Sequence, residues 1–363
     1  MKVALVYDRV NKWGGAERVL LALHELFPDA PLYTAVYSKE KARWARVFPK
    51  VIPSFLQKIP LTRENHEFLA VLAPIAFESF DFTGYDLVIS VTSEASKGII
   101  TRPGTLHLCY CLTPTRYLWS GYTFYLDNPG KLQKIPFFKI LSRPFLKYAR
   151  YWDKIAASRP DIYIAISNAV KQRIKKYYQR DSEVVFPPVE IEKFEGPRMK
   201  ENFYLLVGRL IPYKRADLAI KVFNEIGLPL FIVGTGSEEK KLKKMASDNI
   251  KFLGELTDEE LADYYRRCRA LIFPQEEDFG IVALEAQAAG APVVAYKAGG
   301  ALDTVVEDRT GVFFEKQTVS DMIRAIEKLE KMRFNLKDLH DNARKFSKER
   351  FKKNFINLIR LIK

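Results

Sequence analysis

Two carboxylates stand eight positions apart in the segment QEEDFGIVALEAQAAGAPVVAY, which runs from Gln275 to Tyr296. Glu277 precedes an Asp-Phe-Gly turn, and Glu285 lies in the Ala-rich, apolar stretch after it, which has the composition of a packed helix. A carboxylate can accept two hydrogen bonds from a vicinal diol, so one acid can hold sugar hydroxyls and the other a ribose. The alternative to a binding site is that one acid lies at a helix start and the other is solvated on a surface helix. This alternative fits Glu277 or Glu285 taken alone, but it explains the apolar surroundings less well.

The turn between the two acids favours an anion. Asp278, Phe279 and Gly280 let the backbone turn sharply and present N–H groups at the start of a helix. The helix dipole alone would stabilise a phosphate there by about 0.3–1 kcal/mol, and by more in a site that excludes water.

A second candidate for anion binding is the segment VGRLIPYKR, from Val207 to Arg215. Arg209 and Lys214 follow an apolar run that predicts a strand, and they precede a predicted helix. A guanidinium forks onto phosphate oxygens and an ammonium adds a mobile point charge, so the pair suits a pyrophosphate. Two solvated surface cations are the alternative.

A glycine pair follows the first predicted strand. Gly14 and Gly15 open a predicted helix, which would turn backbone N–H groups toward the carboxyl edge of a sheet. The pattern is not G-x-G-x-x-G, and no acid lies where a dinucleotide ribose would need one. An anion site and simple turn chemistry both remain open.

Alternating strands and helices must position these residues. Apolar runs bounded by turn residues predict buried parallel strands. In the first half they are KVALVY (2–7), YDLVISV (85–91), TLHLCYC (105–111) and DIYIAIS (161–167). In the second half they are FYLLVGRL (203–210), LPLFIVGTG (228–236), IKFLGEL (250–256), ALIFP (270–274) and APVVAY (291–296). The order predicts two α/β domains with parallel sheets.

Pro187 and Pro188 interrupt the pattern, so we place the hinge near residues 188–200. The predicted domains cover 1–190 and 191–344. The tail, 345–363, is helical by period, with Phe351, Phe355, Leu358, Ile359 and Ile362 on one face.

The bulk composition fits two globular domains with an anionic partner. The chain has 363 residues, 48% hydrophobic, and a net charge of +14, which suggests nucleic acid, anionic lipid or a phosphorylated substrate. Cys109, Cys111 and Cys268 make neither a disulfide framework nor a zinc site, so we expect buried thiols. The N-terminus meets Asp8 too early for a signal peptide, and no apolar stretch reaches membrane-spanning length. We expect a soluble, cytoplasmic protein that can still lie on a membrane.

Together, the motifs resemble the retaining glycosyltransferases of family 4, which have the GT-B fold of two Rossmann-like, doubly wound α/β domains facing across a cleft. E-D-F-G-I-V-A-L-E is similar to their E-x7-E motif. G-G-A-E-R resembles their phosphate-facing N-terminal loop, and G-R-L-x-x-x-K resembles their pyrophosphate cation pair. I-S-N-A-V-K-Q-R-I and V-V-F-P-P-V-E are similar to the domain junction of the mannosyltransferase-like branch. The match covers nearly the whole chain.

The resemblance implies a role for each matching residue. The catalytic set would be Arg209 and Lys214 on the diphosphate of a nucleotide sugar and Glu277 on the donor-sugar hydroxyls. Glu285 would hold the ribose. The other donor-binding positions would be Gly14, Gly15, Gly254 near the base, and the backbone of Phe279, Gly280 and Ile281. The tail helix would cross back onto the N-terminal domain. No cofactor is implied; the co-substrate would be GDP-mannose, toward which P-P-V-E and R-Y-L-W lean by analogy.

One departure from the family pattern concerns the general base. The segment CYCLTPTRYLW carries Leu112 where the family often has histidine, and leucine cannot relay a proton. His107 lies inside a strand pattern and is expected to be packed, so we assign no base. In the family the leaving phosphate is thought to help deprotonate the acceptor. The chain has no D-x-D pair, which fits leaving-group stabilisation by Arg209 and Lys214 without a metal.

Two further segments bear on the acceptor. Arg116, Tyr117 and Trp119 form a basic-aromatic cluster, to which we assign an acceptor or donor-edge role; a packed loop anchor is the alternative. Residues 122–155 hold seven Lys/Arg against two Asp, with nine aromatics. This composition favours contact with an anionic membrane surface over the alternative of a helical cover of the sheet. Binding of single-stranded nucleic acid is the least favoured of the three, since no nucleic-acid motif accompanies the segment.

We therefore expect a retaining, metal-independent hexosyltransferase that acts in polysaccharide or lipopolysaccharide-type synthesis. Its acceptor would be a glycan or a polyprenol or other lipid-linked sugar, met at the inner face of the membrane. The alternatives are another GT-B enzyme, such as a sugar-nucleotide epimerase or a phosphorylase, and a non-catalytic basic binding module. An epimerase would need more acid/base groups and a phosphorylase a cofactor lysine site, and neither is evident.

Overall fold

The computed structural model describes residues 1–59, 66–127 and 138–362. These residues divide into two compact units, Met1–Val185 and Phe186–Lys363. Each unit is a parallel sheet with helices between successive strands, so the predicted α/β fold class is confirmed. The sequence-based limits 1–190 and 191–344, and the crossing of the tail helix, stay predictions.

The first unit is built on a seven-stranded sheet in the order β3-β2-β1-β4-β5-β6-β7, as far as the chain is described. Its strands are β1 (Val3–Tyr7), β2 (Leu32–Thr34), β3 (Val51–Pro53), β4 (Leu87–Thr92), β5 (Leu106–Cys111), β6 (Ile162–Ala165) and β7 (Glu183–Val184). Its helices are α1 (Gly15–Leu26), α2 (His66–Glu78), α3 (Tyr122–Asp127), α4 (Phe138–Ala156) and α5 (Asn168–Tyr178), with 3-10 turns at Arg43–Val47, Phe55–Lys58 and Ser96–Gly98.

The second unit repeats the plan with a six-stranded sheet in the order β10-β9-β8-β11-β12-β13. Its strands are β8 (Tyr204–Val207), β9 (Leu230–Val233), β10 (Ile250–Gly254), β11 (Leu271–Phe273), β12 (Val293–Tyr296) and β13 (Gly311–Phe314). Its helices are α6 (Ala216–Ile226), α7 (Glu239–Met245), α8 (Asp258–Arg267), α9 (Ile281–Ala288), α10 (Ala301–Thr304), α11 (Val319–Lys331), α12 (Leu336–Arg344) and α13 (Lys348–Ile362), with 3-10 turns at Ile191–Lys193 and Pro212–Lys214.

All nine strands expected from apolar runs are present, and the described part of the chain has four further short strands that the pattern did not predict. β2, β3 and β7 have only two or three residues, and β13 follows a turn without a long apolar run. Such strands are stabilised by pairing with a neighbour already in place, which local pattern does not reveal. The tail forms α13, which buries the predicted Phe351, Phe355 and Ile359 and leaves the predicted Leu358 and Ile362 half-buried.

The strand order determines where ligand-binding loops meet. In each sheet the chain winds outward from a central strand, returns, and continues on that strand's other side, so β1 lies beside β4 and β8 beside β11. In doubly wound sheets, ligands bind outside the carboxyl ends of the strands at this switch point. The loops after β8 and β11 carry Arg209 and Lys214 on one side and Glu277 on the other.

Candidate active site

An ion pair joins the two loops at the switch point of the second unit. The Lys214 ammonium donates to the Glu277 carboxylate, and the two side chains are only 17% and 16% exposed. Partial burial strengthens such a pair, because less water screens the charges. The structure therefore brings together two of the three residues predicted as catalytic.

Arg209 lies on the same loop as Lys214 but is exposed. Its Nη2 donates to the Tyr213 hydroxyl at 3.2 Å. A solvated guanidinium beside a half-buried ammonium gives the loop two cations of different mobility, and both are compatible with a phosphate ligand.

The acidic loop ends at a helix start without a side-chain cap. Gly280 is the N-cap of α9 with φ of 98°, a left-handed conformation that glycine adopts without strain, and no described side chain accepts a cap hydrogen bond there. The first-turn N–H groups of α9 therefore point at the loop end. The Phe279 ring is buried and stacks on Phe186, with ring centroids 5.9 Å apart, which fixes the backbone before the helix.

Glu285 is buried, in the second turn of α9. It is 3% exposed, and the Tyr265 hydroxyl, itself fully buried on α8, donates to its Oε2 at 3.2 Å. The alternative of a solvated acid on a surface helix is therefore wrong for Glu285. A buried carboxylate must be hydrogen-bonded to offset its desolvation, and Tyr265 is one such donor.

The loops after β12 and β9 pack against the two loops that carry Glu277 and Lys214, respectively. Gly300 N donates to the Glu277 carbonyl at 2.8 Å, and a Cβ at Gly299 or Gly300 would overlap the backbone of residues 277–279. On the other side, a Cβ at Gly234 or Gly236 would overlap the backbone of residues 208–210. Sequence analysis missed these four glycines, although A-G-G after β12 and G-T-G after β9 were visible signals for a close backbone approach.

Gly254 lies on the same edge of the sheet. It ends β10, two strands from β8, and its carbonyl accepts from Gly234 N at 2.7 Å. The predicted base-contacting segment is thus joined by a backbone hydrogen bond to the loop that supports residues 208–210.

A carboxylate of the chain lies at the helix start that Gly14 and Gly15 form. Gly14 is the N-cap of α1 in extended conformation, and Gly15 begins the helix. Glu17, buried in the first turn, accepts from the Tyr7 hydroxyl at 2.6 Å, and burial raises the pKa of its carboxyl. Because an acid already lies at this helix start, the geometry favours the turn interpretation of Gly14 and Gly15 over an anion site.

The switch point of the first unit carries a second set of polar groups. Buried Asp8 accepts backbone N–H groups of Ser93, Glu94 and Ser96 at 2.7–3.0 Å. Arg9 Nη2 lies 2.5 Å from the Glu94 carboxylate, yet burial raises the pKa of Glu94 because desolvation outweighs the attraction of Arg9. Sequence analysis missed this pair.

The predicted acceptor cluster is anchored through a buried carboxylate. Asp153 accepts from Lys97 Nζ at 2.6 Å, Thr115 Oγ1 at 2.9 Å and Trp119 Nε1 at 2.7 Å, and both members of the ion pair are 1% exposed. Trp119 also stacks on Tyr177 at 5.3 Å. These contacts favour the loop-anchor interpretation for Trp119.

The other two members of the cluster are less enclosed. Arg116 and Tyr117 are half-buried, and burial together with the nearby Glu94 raises the pKa of Tyr117. They stay candidates for acceptor contact. Leu112 is half-buried and follows β5 directly.

The remaining titratable candidates are structural. His107 is fully buried and bonds Ser90 Oγ through Nε2 at 2.9 Å, and burial lowers its pKa to about 3. It is packed, as predicted, but its Nδ1 has no hydrogen-bond partner among the described residues. The three cysteines are free and buried, as expected. Across residues 1–59, 66–127 and 138–362, no group of three or more His, Cys, Asp or Glu is placed to hold a metal ion. Within the same ranges, no helix has the length and apolarity to span a bilayer.

Comparison with known proteins shows which proteins parts of this chain resemble. Residues 189–346 match the family model described as glycosyl transferases group 1. An uncharacterized glycosyltransferase of Methanocaldococcus jannaschii, MJ1178, is 30% identical over 207 residues, which cover 55% of this chain and 58% of the relative. The O-antigen chain mannosyltransferase RfbU of Salmonella typhimurium is 31% identical over 159 residues, 40% of this chain and 45% of the relative.

Among solved structures, the Anabaena protein HepE in complex with UDP is similar with a TM-score of 0.73 and 18% identity, over 99% of both chains. This likeness shows the fold, which is the GT-B fold expected from the sequence. The chain spans about half the length of the curated relatives it matches.

Proposed function

We propose, on the premise that residues 189–346 carry a group 1 glycosyltransferase domain, that this chain transfers a hexose from a nucleotide sugar to a hydroxyl of a glycan or lipid-linked acceptor. The observation that carries the proposal is the Lys214–Glu277 ion pair at the switch point of the second unit. The cation and the helix start, which has no side-chain cap, suit a negatively charged diphosphate, and the carboxylate can accept hydrogen bonds from sugar hydroxyls.

Each donor fragment has a matching group in the proposal. Lys214 and Arg209 bind the diphosphate, and the N–H groups from Phe279 to Ile281 add backbone donors. Glu277 accepts hydrogen bonds from sugar hydroxyls, and Glu285 accepts them from the ribose. The backbone at Gly254 faces the base. We propose no ligand contact for Gly14 and Gly15, which form the turn at the start of α1.

The reaction we propose retains anomeric configuration and uses no metal. The bond between the anomeric carbon and the diphosphate oxygen breaks, and the electron pair leaves with the nucleoside diphosphate. The acceptor oxygen bonds to the same face of that carbon, and its proton passes to the leaving phosphate. Lys214 and Arg209 stabilise the charge that develops on this phosphate, which is the role a cation would otherwise have.

The donor we propose is GDP-mannose. The motifs P-P-V-E and R-Y-L-W and the likeness to an O-antigen mannosyltransferase support mannose, whereas the UDP bound to HepE makes UDP-sugars the first competitor to test. The acceptor would be a glycan or polyprenol-linked sugar.

We also propose that the first unit contacts an anionic membrane at its inner face. Of the segment 122–155, residues 128–137 lie outside the described residues, and so do the side chains of 138–141. The described part of α4 exposes Arg143, Lys147, Tyr148, Tyr151 and Lys154, and the two tyrosines are 61% and 67% exposed. A basic helix face with exposed aromatics fits a lipid headgroup surface.

A binding screen tests the proposal without knowledge of the acceptor. GDP, UDP and their hexose conjugates would be titrated calorimetrically into the protein. Donor binding stabilises the fold by about 2.7 kcal/mol at a hundredfold excess over the dissociation constant, so thermal unfolding gives a second readout. Binding of none of these nucleotides would overturn the proposal, and a product with inverted configuration by NMR would overturn its mechanism.

A further inference from the structure

A side chain from a third loop joins the two loops of the Lys214–Glu277 pair. Gln317 lies half-buried between β13 and α11. Its Nε2 donates to the Pro274 carbonyl at 2.7 Å, and its Oε1 accepts from Arg215 Nη1 at 2.9 Å. Pro274 is the residue directly after β11, and Arg215 is the residue directly after Lys214. The Gln317 amide is therefore a bridge between the end of the Lys214 loop, at Arg215, and the start of the Glu277 loop, at Pro274.

The chemistry of the bridge needs a primary amide. One partner is a carbonyl, which only accepts, and the other is a guanidinium, which only donates. Glutamine presents a donor and an acceptor side by side and satisfies both. A glutamate would turn a second oxygen toward the Pro274 carbonyl, and a methionine of similar length would satisfy neither partner.

Arg215 is held in a demanding conformation at this point. Its φ is 55° and its ψ 32°, a left-handed geometry that is unfavourable for a non-glycine residue. The guanidinium also reaches Asp217 through Nε at 3.2 Å. Because Lys214 is the preceding residue, the direction of its side chain depends on this turn being kept. The bridge to Gln317 is one of the contacts that keep it.

We propose that Gln317 is a positioning residue for nucleotide-sugar binding: its amide sets the spacing of the Lys214 and Glu277 loops and so sets affinity for the donor diphosphate. The inference rests on the proposed function. Loss of both hydrogen bonds should weaken nucleotide binding about tenfold, the effect of roughly one to two net hydrogen bonds.

Calorimetric titration with GDP and with UDP tests this in the full chain. Gln317→Met should bind the preferred nucleotide about tenfold more weakly, and Gln317→Glu should fall between it and the wild type because it still accepts from Arg215. Lys316→Gln, an exposed neighbour on the same loop, is the matched control and should bind like the wild type. Arg215→Met should cost less in the Gln317→Met background than in the wild type, because both changes remove the same Arg215–Gln317 hydrogen bond.

The outcomes separate the inference from the proposed function. If the wild type binds neither GDP nor UDP, the proposed function fails and the inference with it. If the wild type binds but Gln317→Met binds equally well, the inference alone is overturned. A lower unfolding temperature for Gln317→Met with unchanged nucleotide affinity would show a merely structural role and would overturn it too. Additive losses in the double variant would show that the two residues act separately.

Discussion

The ammonium of Lys214 and the carboxylate of Glu277 meet although the residues are 63 positions apart in the chain. They come from loops after adjacent parallel strands, β8 and β11. In the proposed complex a donor diphosphate competes for Lys214, and the freed Glu277 carboxylate then accepts from sugar hydroxyls. Donor binding would thus replace the Lys214–Glu277 ion pair by two contacts with the same ligand, one from Lys214 to the diphosphate and one from Glu277 to the sugar.

Lys214→Ala should lower turnover with a sugar-nucleotide donor on the order of a hundredfold or more, because the leaving diphosphate gains charge in the transition state. Steady-state rates of nucleoside diphosphate release measure the effect. Lys221→Ala, an exposed lysine on α6, serves as the control and should keep full activity. Full activity in Lys214→Ala would remove this lysine from the site.

Gly300→Ala should damage the site through the backbone. A Cβ there would overlap Phe279, so the acidic loop must shift, and misplacement of about 1 Å is enough to lose about a hundredfold in rate. The measurement is nucleotide affinity and turnover, with Leu302→Ala, an exposed change two residues on, for comparison. Equal behaviour of the two variants would show that Gly300 does not support the loop.

Tyr265→Phe should weaken donor binding up to about tenfold while leaving turnover at saturation nearly unchanged. It removes one hydrogen bond to Glu285, worth about 0.5–1.5 kcal/mol, and Glu285 is proposed to hold a part of the donor that does not react. Tyr264→Phe changes the half-buried neighbour on the same helix and is the matched control. A loss confined to turnover would contradict the ribose assignment.

The first unit should lose stability below about pH 6.5 through His107. Burial lowers its pKa from 6.5 to about 3, so between these values the unfolded state binds a proton that the folded state excludes. The contribution of His107 to stability is therefore complete above pH 6.5 and is lost as pH decreases, by roughly 2 kcal/mol between pH 7 and pH 5.

Tryptophan fluorescence during urea unfolding isolates this unit, because Trp13, Trp44, Trp119 and Trp152 are the chain's four tryptophans and all precede Val185. His107→Gln, which can still bond Ser90, should flatten the slope in this pH range. His340→Gln, in the other unit, should not. An unchanged slope in His107→Gln would contradict the assignment.

Local sequence pattern predicted the strands that are long and apolar, and with them the edge on which Arg209, Lys214 and Glu277 lie. It also predicted Glu285 as a packed acid, since the surrounding alanines signal burial. It could not predict the Tyr265–Glu285 bond, the Gln317 bridge or the Arg9–Glu94 pair. These contacts join residues 20 to 102 positions apart, and only the strand order brings them together.

The most direct test of the account is a calorimetric comparison of GDP and GDP-mannose binding, with the UDP pair in parallel, to the wild type, Glu277→Gln and Glu285→Gln. If Glu285 holds the ribose, Glu285→Gln should weaken the nucleoside diphosphate and the sugar nucleotide alike. If Glu277 holds the sugar, Glu277→Gln should weaken only the sugar nucleotide and should leave the nucleoside diphosphate unchanged or tighter, because Lys214 loses its internal partner. Equal losses at both acids for both ligands, or no nucleotide binding by the wild type, would contradict the claim that a sugar nucleotide lies between Glu277 and Glu285.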